Sequence, residues 1–489
     1  MKFKYMNTPV YLKGLLLISI LSILTVSCQK GELEVSPITT IAGNDAYSTP
    51  AKIGSQVNAL YGQLSDPGYY GGRYLVFNEQ RGNEFSQNDG NNSTGANVWN
   101  QTISASGDFV NAVWTAGYRV INSANILIDN LSTSSVLDDA TKKNYLAEAK
   151  FVRAFAYFSL VQTFVKPYNQ SSTGLALPLR LKGETTGGNN DLAFSTTAEI
   201  YTQILKDLDE AETDLPASYS TALLNASRAH KATAISLKTR VYLAKSDYDK
   251  VVIEAAKLVP AAAPYQYTGG SVTHSLEPDL TRLFNGSYTG SEAIFSIAFV
   301  IASEAPGQQS ALAYNYLSPV LYLNTNGGII SNAVFSAASP DLRKSLINTN
   351  TSGQQLVKKF AKNGAPYLDY IPLVRYAEVL LNYAEAAAQK NDLNTALSLL
   401  KAVRNRSNPA YVFTTGVGTK AELISTILTE RRIELLGEGF RTPDLLRQAL
   451  PLPAKSGNAG TAPEVPVTAS NYVWPIPSNE LAYNNLAPR

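Results

Sequence analysis

Arg375-Tyr376-Ala377-Glu378-Val379-Leu380-Leu381-Asn382-Tyr383-Ala384-Glu385-Ala386 opens a segment, 373–389, in which Leu380, Tyr383, Ala384 and Ala387 recur at helical spacing. A polar break follows at Lys390-Asn391-Asp392. A second helical segment, 392–406, then begins with Asp392-Leu393-Asn394-Thr395-Ala396-Leu397. Small residues such as Ala384 and Ala387 let two antiparallel helices approach closely, and the polar turn sends the second back along the first. This is helix pairing of the tetratricopeptide kind. It predicts a mainly α fold: a superhelical scaffold of helix pairs.

A second pair lies upstream. Segments 227–245 and 247–259 are separated by Lys245-Ser246-Asp247, with Ala234, Tyr242, Leu243 and Ala244 before the break. The two pairs are degenerate and unevenly spaced. Further out, Thr196-Thr197-Ala198-Glu199 reads as a capping box ahead of Ile200, Ile204, Leu205 and Leu208. Thr141–Phe164 leaves little polar face and predicts a largely buried helix that Pro167 stops. Helices are also predicted over 46–64 and 108–131. Residues 66–105 are rich in Gly, Asn, Ser and Tyr and read as one long loop, the kind that is functional or disordered. Residues 261–371 read as loop-rich insertions, with a strand over 293–299.

At the N-terminus, Lys2, Lys4 and Lys13 precede a short apolar run, Leu15–Leu24, and then Thr25-Val26-Ser27-Cys28. A run of this length is too short to span a bilayer and has the form of a secretory signal. Cys28 is the only cysteine, and its setting resembles the bacterial lipobox, in which the thiol is acylated and the chain is cut before it. The mature chain would then have 489 − 27 = 462 residues, enough for a large core. Its fold cannot rest on disulfides. With 41 basic and 39 acidic residues the net charge is +2, which argues against a nucleic-acid partner. Tyrosine outnumbers phenylalanine 28 to 16, which suits half-exposed binding surfaces.

Signatures of catalysis are scarce. His230 and His274 are the only histidines, and neither lies in a metal or nucleophile motif. Gly183–Asn189 has P-loop-like glycines but carries Asn189 where a phosphate-binding lysine belongs. Gly416-Val417-Gly418-Thr419-Lys420-Ala421 lacks a surrounding βαβ unit, and Thr419–Glu422 is better read as a capping box. Asp89-Gly90-Asn91-Asn92-Ser93 is a weak match to a calcium loop, because Asn100 stands in place of the closing glutamate. No cofactor or metal is expected. Glu79, Glu84 and Asp89 could supply the carboxylates of a surface glycoside hydrolase.

Several motifs then occur in order. They are Ala147–Ala154 with Tyr157-Phe158, Thr197–Tyr201 with Asp207-Leu208, Arg375–Ala386, Glu430–Arg441 with Asp444–Arg447, and Trp474-Pro475-Ile476-Pro477 with Glu480 and Asn484. Together with the lipoprotein start they resemble the SusD/RagB family over almost the whole chain. The charges of Glu430, Arg431, Arg432 and Glu434 are read as pairing along one helix and locking its end onto its neighbours, a structural role. Ile476, between two prolines, is read as an apolar anchor.

The resemblance implies a division into a signal peptide (1–27), a tether (28–44), an N-terminal helical part (45–245, with the 66–105 insertion) and a C-terminal part (246–489, with the 261–371 insertion). It implies a non-enzymatic lipoprotein of the outer membrane, anchored through Cys28. Such a protein captures an oligosaccharide, or in some members a peptide, and acts as the lid of a TonB-dependent transporter of the SusC type. Trp99 and Asn100 are the leading ligand-binding candidates, followed by Tyr70, Arg73, Tyr74, Tyr314 and Tyr322. A cytosolic helical-repeat adaptor is the remaining alternative.

Overall fold

The computed structural model describes residues 45–188, 190–285 and 290–488, so Cys28, the signal and tether segments and Asn189 lie outside the described residues. The chain divides into two compact units, Met1–Ile53 and Gly54–Arg489. The helices are α1 (Pro50–Leu64), α2 (Arg73–Gln80), α3 (Ala96–Trp99), α4 (Asp108–Thr133), α5 (Asp139–Phe164), α6 (Thr197–Asp214), α7 (Ala222–Ser227), α8 (Lys231–Ala244) and α9 (Tyr248–Ala255). After α10 (Leu280–Asn285) and α11 (Leu312–Leu317) come α12 (Tyr376–Gln389), α13 (Leu393–Ser407), α14 (Lys420–Glu434), α15 (Arg441–Arg447) and α16 (Ser478–Tyr483). The strands are short and pair antiparallel in twos. The fold is mainly α, as the helix pairs predicted.

Both helix pairs form: α8 packs on α9, and α12 on α13. Asp247 and Asp392 each cap the second helix of a pair by accepting the backbone N–H three residues on. Thr196 and Thr419 form complete capping boxes with Glu199 and Glu422. The scaffold is cross-tied by polar bonds between helices. Arg153 of α5 donates two bonds to Asp207 of α6, at 2.8 and 2.7 Å, and one to Asn125 of α4 at 2.8 Å. Arg240 of α8 pairs with Glu378 of α12 at 2.6 Å. Asn382 of α12 bonds Thr239 of α8 and accepts from Arg431 of α14.

Three expectations need correction. The helix expected over 227–245 starts later, at Lys231, after a separate short helix, α7, has ended at Ser227. Arg228 between them is drawn into a two-pronged pair with buried Glu148, at 2.7 and 2.6 Å, and this pins the connecting residues in extended conformation. Residues 66–105 are not a bare loop. They hold α2, α3 and strand β1 (Phe85–Gln87), and Tyr69, Tyr70, Tyr74, Leu75, Val76, Phe77 and Phe85 are all buried. Tyr70 lies 4.7 Å from Phe155 of α5, ring centre to ring centre, so this segment packs onto the long helix. At the C-terminus the buried anchor is Trp474, against Phe77 and Phe164, while Ile476 is half-buried.

Candidate functional site

Strand β1 pairs with β2 (Leu321–Leu323), and Ser86 stands opposite Tyr322. A hairpin, β4 (Lys455–Gly457) and β5 (Gly460–Ala462), docks on β1 through Ser86 Oγ donating to Ser456 O and Ala459 N–H donating to Gln87 O. The loop before β3 (Gln355–Val357) closes the group. These four segments bring together Asn88, Tyr322, Gln354 and Asn458. Asn458 Nδ2 donates to Asn88 Oδ1 at 2.8 Å, and Gln354 Nε2 donates to the same oxygen at 3.2 Å. Tyr322 Oη donates to Asn458 Oδ1 at 3.2 Å and accepts from Asn458 N–H at 3.0 Å. Asn350 orients Gln354 through a 2.9 Å bond to its Oε1.

Asn458 is exposed, and Asn88, Tyr322 and Gln354 are half-exposed. The result is an open face of amides around one aromatic ring, with no charged group among its four members. Amides donate and accept at once, so such a face can match hydroxyls in either role. Among the described residues Asn88 Nδ2 has no protein acceptor, which leaves its donors for a ligand.

Of the sequence candidates, Tyr322 alone belongs to this face. Trp99 lies beneath β1, 1% exposed, with its indole N–H donating to Phe85 O at 3.0 Å and the Lys455 ammonium 5.4 Å from its ring centre. It supports the strand and shows no ring face to solvent. Asn100 turns its side chain onto Thr102. Tyr70 and Tyr74 are buried in a ring cluster with Tyr69 and Phe155 and line a small enclosed cavity with Arg240 and Arg447. Arg73 lies over Phe109 at 4.8 Å and bonds Ser310 Oγ and Ser93 O, tying two loops together. Tyr314 is half-buried on α11. Asn88, Gln354 and Asn458 were not singled out by sequence. Gly457-Asn458-Ala459-Gly460 is a hairpin-turn signal that could have pointed to the last of them.

The loop carboxylates are poorly placed for hydrolysis. Glu84, 2% exposed, accepts from Arg432 Nε at 2.7 Å, Arg441 Nε at 3.2 Å and Ile329 N–H at 2.5 Å. Burial, then the nearby Glu84 charge, pushes Glu79 up to about 8, and it accepts from the Gly439 and Phe440 N–H groups. Asp89 accepts from Asn91 N–H in an exposed turn. One acidic trio among the described residues has metal-like spacing: Asp209, Glu212 and Glu254. Lys238 already pairs with all three, so an ammonium takes the place a cation would.

The charged motif of α14 turns inward. Glu434 binds Arg343, Arg375 and Arg406; Glu438 binds Arg375 and Lys359; Glu430 binds Arg343 and Arg404. Glu292 adds bonds to Arg375 and Arg406, and Asp341 one to Arg343. Five cations thus face five carboxylates. The partners come from distant segments, which corrects the pairing expected along the helix. Gly437 and Gly439, at φ 80° and 81°, supply the left-handed turns that swing Glu438 inward. A Cβ at Gly439 would also come within 2.9 Å of Leu75. Burial alone would raise the Glu434 carboxyl, but Arg406, Arg375 and Arg343 hold it well below the usual carboxylate range.

Comparison with known proteins places this arrangement. A profile described as the SusD family matches residues 329–486, and one described as "Starch-binding associating with outer membrane" matches 33–243. SusD-like protein P2 of Formosa agariphila is 27% identical, over 96% of this chain and 97% of its own. A crystal structure of a SusD superfamily protein from Bacteroides fragilis superposes with a TM-score of 0.81 at 30% identity, covering 91% of this chain and all of that one. A laminarin-binding SusD-like protein superposes with a TM-score of 0.66 at 20% identity, covering 90% of this chain and 98% of that one.

Proposed function

The chain belongs to the SusD family, and from that premise we propose that it binds a neutral oligosaccharide on the amide face around Asn88, Tyr322, Gln354 and Asn458. The carrying observation is the chemistry of that face: exposed, uncharged, rich in paired amides, and centred on a half-exposed phenol ring. A ring of this kind covers the apolar side of a sugar while amides take its hydroxyls. The family match to outer-membrane-associated starch binders and the fold likeness to a laminarin binder support the same ligand class.

In this reading the protein hands its ligand to a TonB-dependent transporter of the SusC type, over which it acts as a lid, held to the membrane by acylated Cys28. Among the described residues no helix is long and apolar enough to cross a membrane. In the same reading the protein makes and breaks no bond; the buried carboxylates of Glu79 and Glu84 are engaged by backbone N–H groups and, at Glu84, by Arg432 and Arg441.

The test is calorimetric titration with maltohexaose, laminarihexaose, cellohexaose and a peptide pool, together with pull-down from solubilised outer membranes. Saturable binding of a hexaose that weakens in Tyr322→Ala, with co-purification of a barrel transporter, is expected. Binding of peptides alone, or release of shortened glycans, would overturn it.

A further inference from the structure

An open concavity among the described residues shares no residue with the amide face. It has a volume of about 730 Å³, within the roughly 300–1,000 Å³ range of small-ligand sites. Three parts form it: the segment 332–341, the end of α13 with the loop that runs on to α14, and Thr426 and Thr429 of α14 itself. Its aromatic part is built on one buried cation. Arg404 is 6% exposed; its guanidinium sits 4.6 Å from the Tyr411 ring centre and 5.8 Å from that of Phe413. The two rings meet edge to face at 4.9 Å. Arg404 is itself held by Glu430, whose other oxygen binds Arg343 at 2.5 Å, and Arg343 is gripped by Asp341, a second buried residue of the groove. The rings therefore stand on a fixed charge network although they belong to a loop.

The remaining walls carry neutral hydrogen-bonding groups, among them Ser336, Asn408, Thr415 and Thr429. The charged residues of the groove, Asp341 and Arg404, are both already paired. A ligand that brought a net charge would find no free partner, and a purely apolar one would strand the hydroxyls and amides. A molecule with apolar faces and hydroxylated edges satisfies both requirements.

We propose that this groove is a second, independent subsite for a neutral oligosaccharide, with Tyr411 and Phe413 as its stacking platform. The proposal rests on the reading of the chain as a glycan binder but not on the amide face. Two sites on one chain would let it hold a polysaccharide at two points, which raises avidity without new contacts at either site.

Hydrogen exchange of the peptide spanning 408–416 would be followed with and without saturating maltohexaose, laminarihexaose or cellohexaose. The wild type, Tyr322→Ala, Tyr411→Ala and Ser336→Trp proteins would be compared. Ser336 is exposed, so the tryptophan fills the groove without touching the ion network. At least one hexaose is expected to protect this peptide in wild type and Tyr322→Ala alike. About tenfold weaker binding at this site is expected in Tyr411→Ala and Ser336→Trp. Calorimetric binding with no protection at 408–416 would overturn the groove and leave the amide face standing. Protection that survives both groove variants would also overturn it. Failure of every hexaose to bind would overturn both readings.

Discussion

The ion cluster around Glu434 and the amide face around Asn88 are both polar, and each joins segments far apart in sequence. They differ in saturation and in access to water. In the cluster five cations and five carboxylates are mutually satisfied and nearly all buried, so no bond is left for anything outside the chain. On the face the groups are neutral, reachable, and only partly used by one another. Charge is therefore a poor guide to function in this chain. The densest charged motif is an internal fastening, and the surface best suited to a ligand has no charge among its four residues.

The largest effect expected from breaking this contrast is at Arg375. Its guanidinium serves Glu292, Glu434 and Glu438 at once, at 2.5 to 2.8 Å. Arg375→Ala leaves buried carboxylates without a counter-charge, which costs about 3–5 kcal/mol. Urea unfolding should show that loss; a change under about 1 kcal/mol would mean the cluster is wet or pliable.

Titration sharpens the contrast next. His230 and His274 stack with ring centres 5.3 Å apart, and both are buried. Burial, then the neighbouring His274, lowers His230 to about 3, and burial lowers His274 to about 4. Both are below the ordinary value of 6.5, so the unfolded chain binds more protons between that value and the folded ones. The contribution of neutral histidine to stability is thus complete above pH 6.5 and lost as pH falls through the window below it. The depressed Glu434 carboxyl begins to lose its contribution only below its ordinary value of 4.5. With just two histidines, proton NMR assigned through His274→Gln checks this: neither ring signal should move above about pH 5. Affinity at the amide face should stay flat over the same range. A midpoint near 6.5 for either ring would contradict the buried stack.

Glu84→Gln comes third. The variant keeps the shape but weakens two arginine bonds, and a loss of about 1–3 kcal/mol is expected with glycan affinity unchanged. Abolition of a measurable glycan-cleaving activity by this substitution would reverse the functional reading.

Much of the scaffold was legible because its helices advertise themselves by period. Segments expected at 108–131, 373–389 and 392–406 appear as Asp108–Thr133, Tyr376–Gln389 and Leu393–Ser407. The misses differ in cause: a long-range polar tie in one, a misleading composition in another. Arg228 reaches Glu148, eighty positions away, and holds the extended link ahead of α8, so that helix starts at Lys231 and not at 227. Within 66–105, glycines and asparagines masked the tyrosines that pack on α5. The amide face was least legible, since Asn88, Gln354 and Asn458 lie in three turns whose convergence no local pattern encodes. Trp99 drew attention as a rare large aromatic, yet the same size and its N–H make it a good support under β1.

The smallest and most selective effect is expected on the face itself. Tyr322→Ala removes the ring and the hydroxyl that orders Asn458, and Asn458→Ala removes the donor to Asn88. Both side chains reach solvent, so stability should change by no more than about 0.5 kcal/mol. Loss of the central aromatic should weaken glycan binding roughly tenfold, about 1.4 kcal/mol. Asn458→Ala should weaken it less, because Gln354 still orients Asn88. The double variant should then be no worse than the sum of the two, and better if Tyr322 acts partly by positioning Asn458, since residues that share a bond are not additive. Calorimetry on the four proteins of this cycle reads both terms. An unchanged affinity in Tyr322→Ala would remove the face from the binding site. A large stability loss in either single variant would show that the face, like the cluster around Glu434, holds the fold together instead of meeting a ligand.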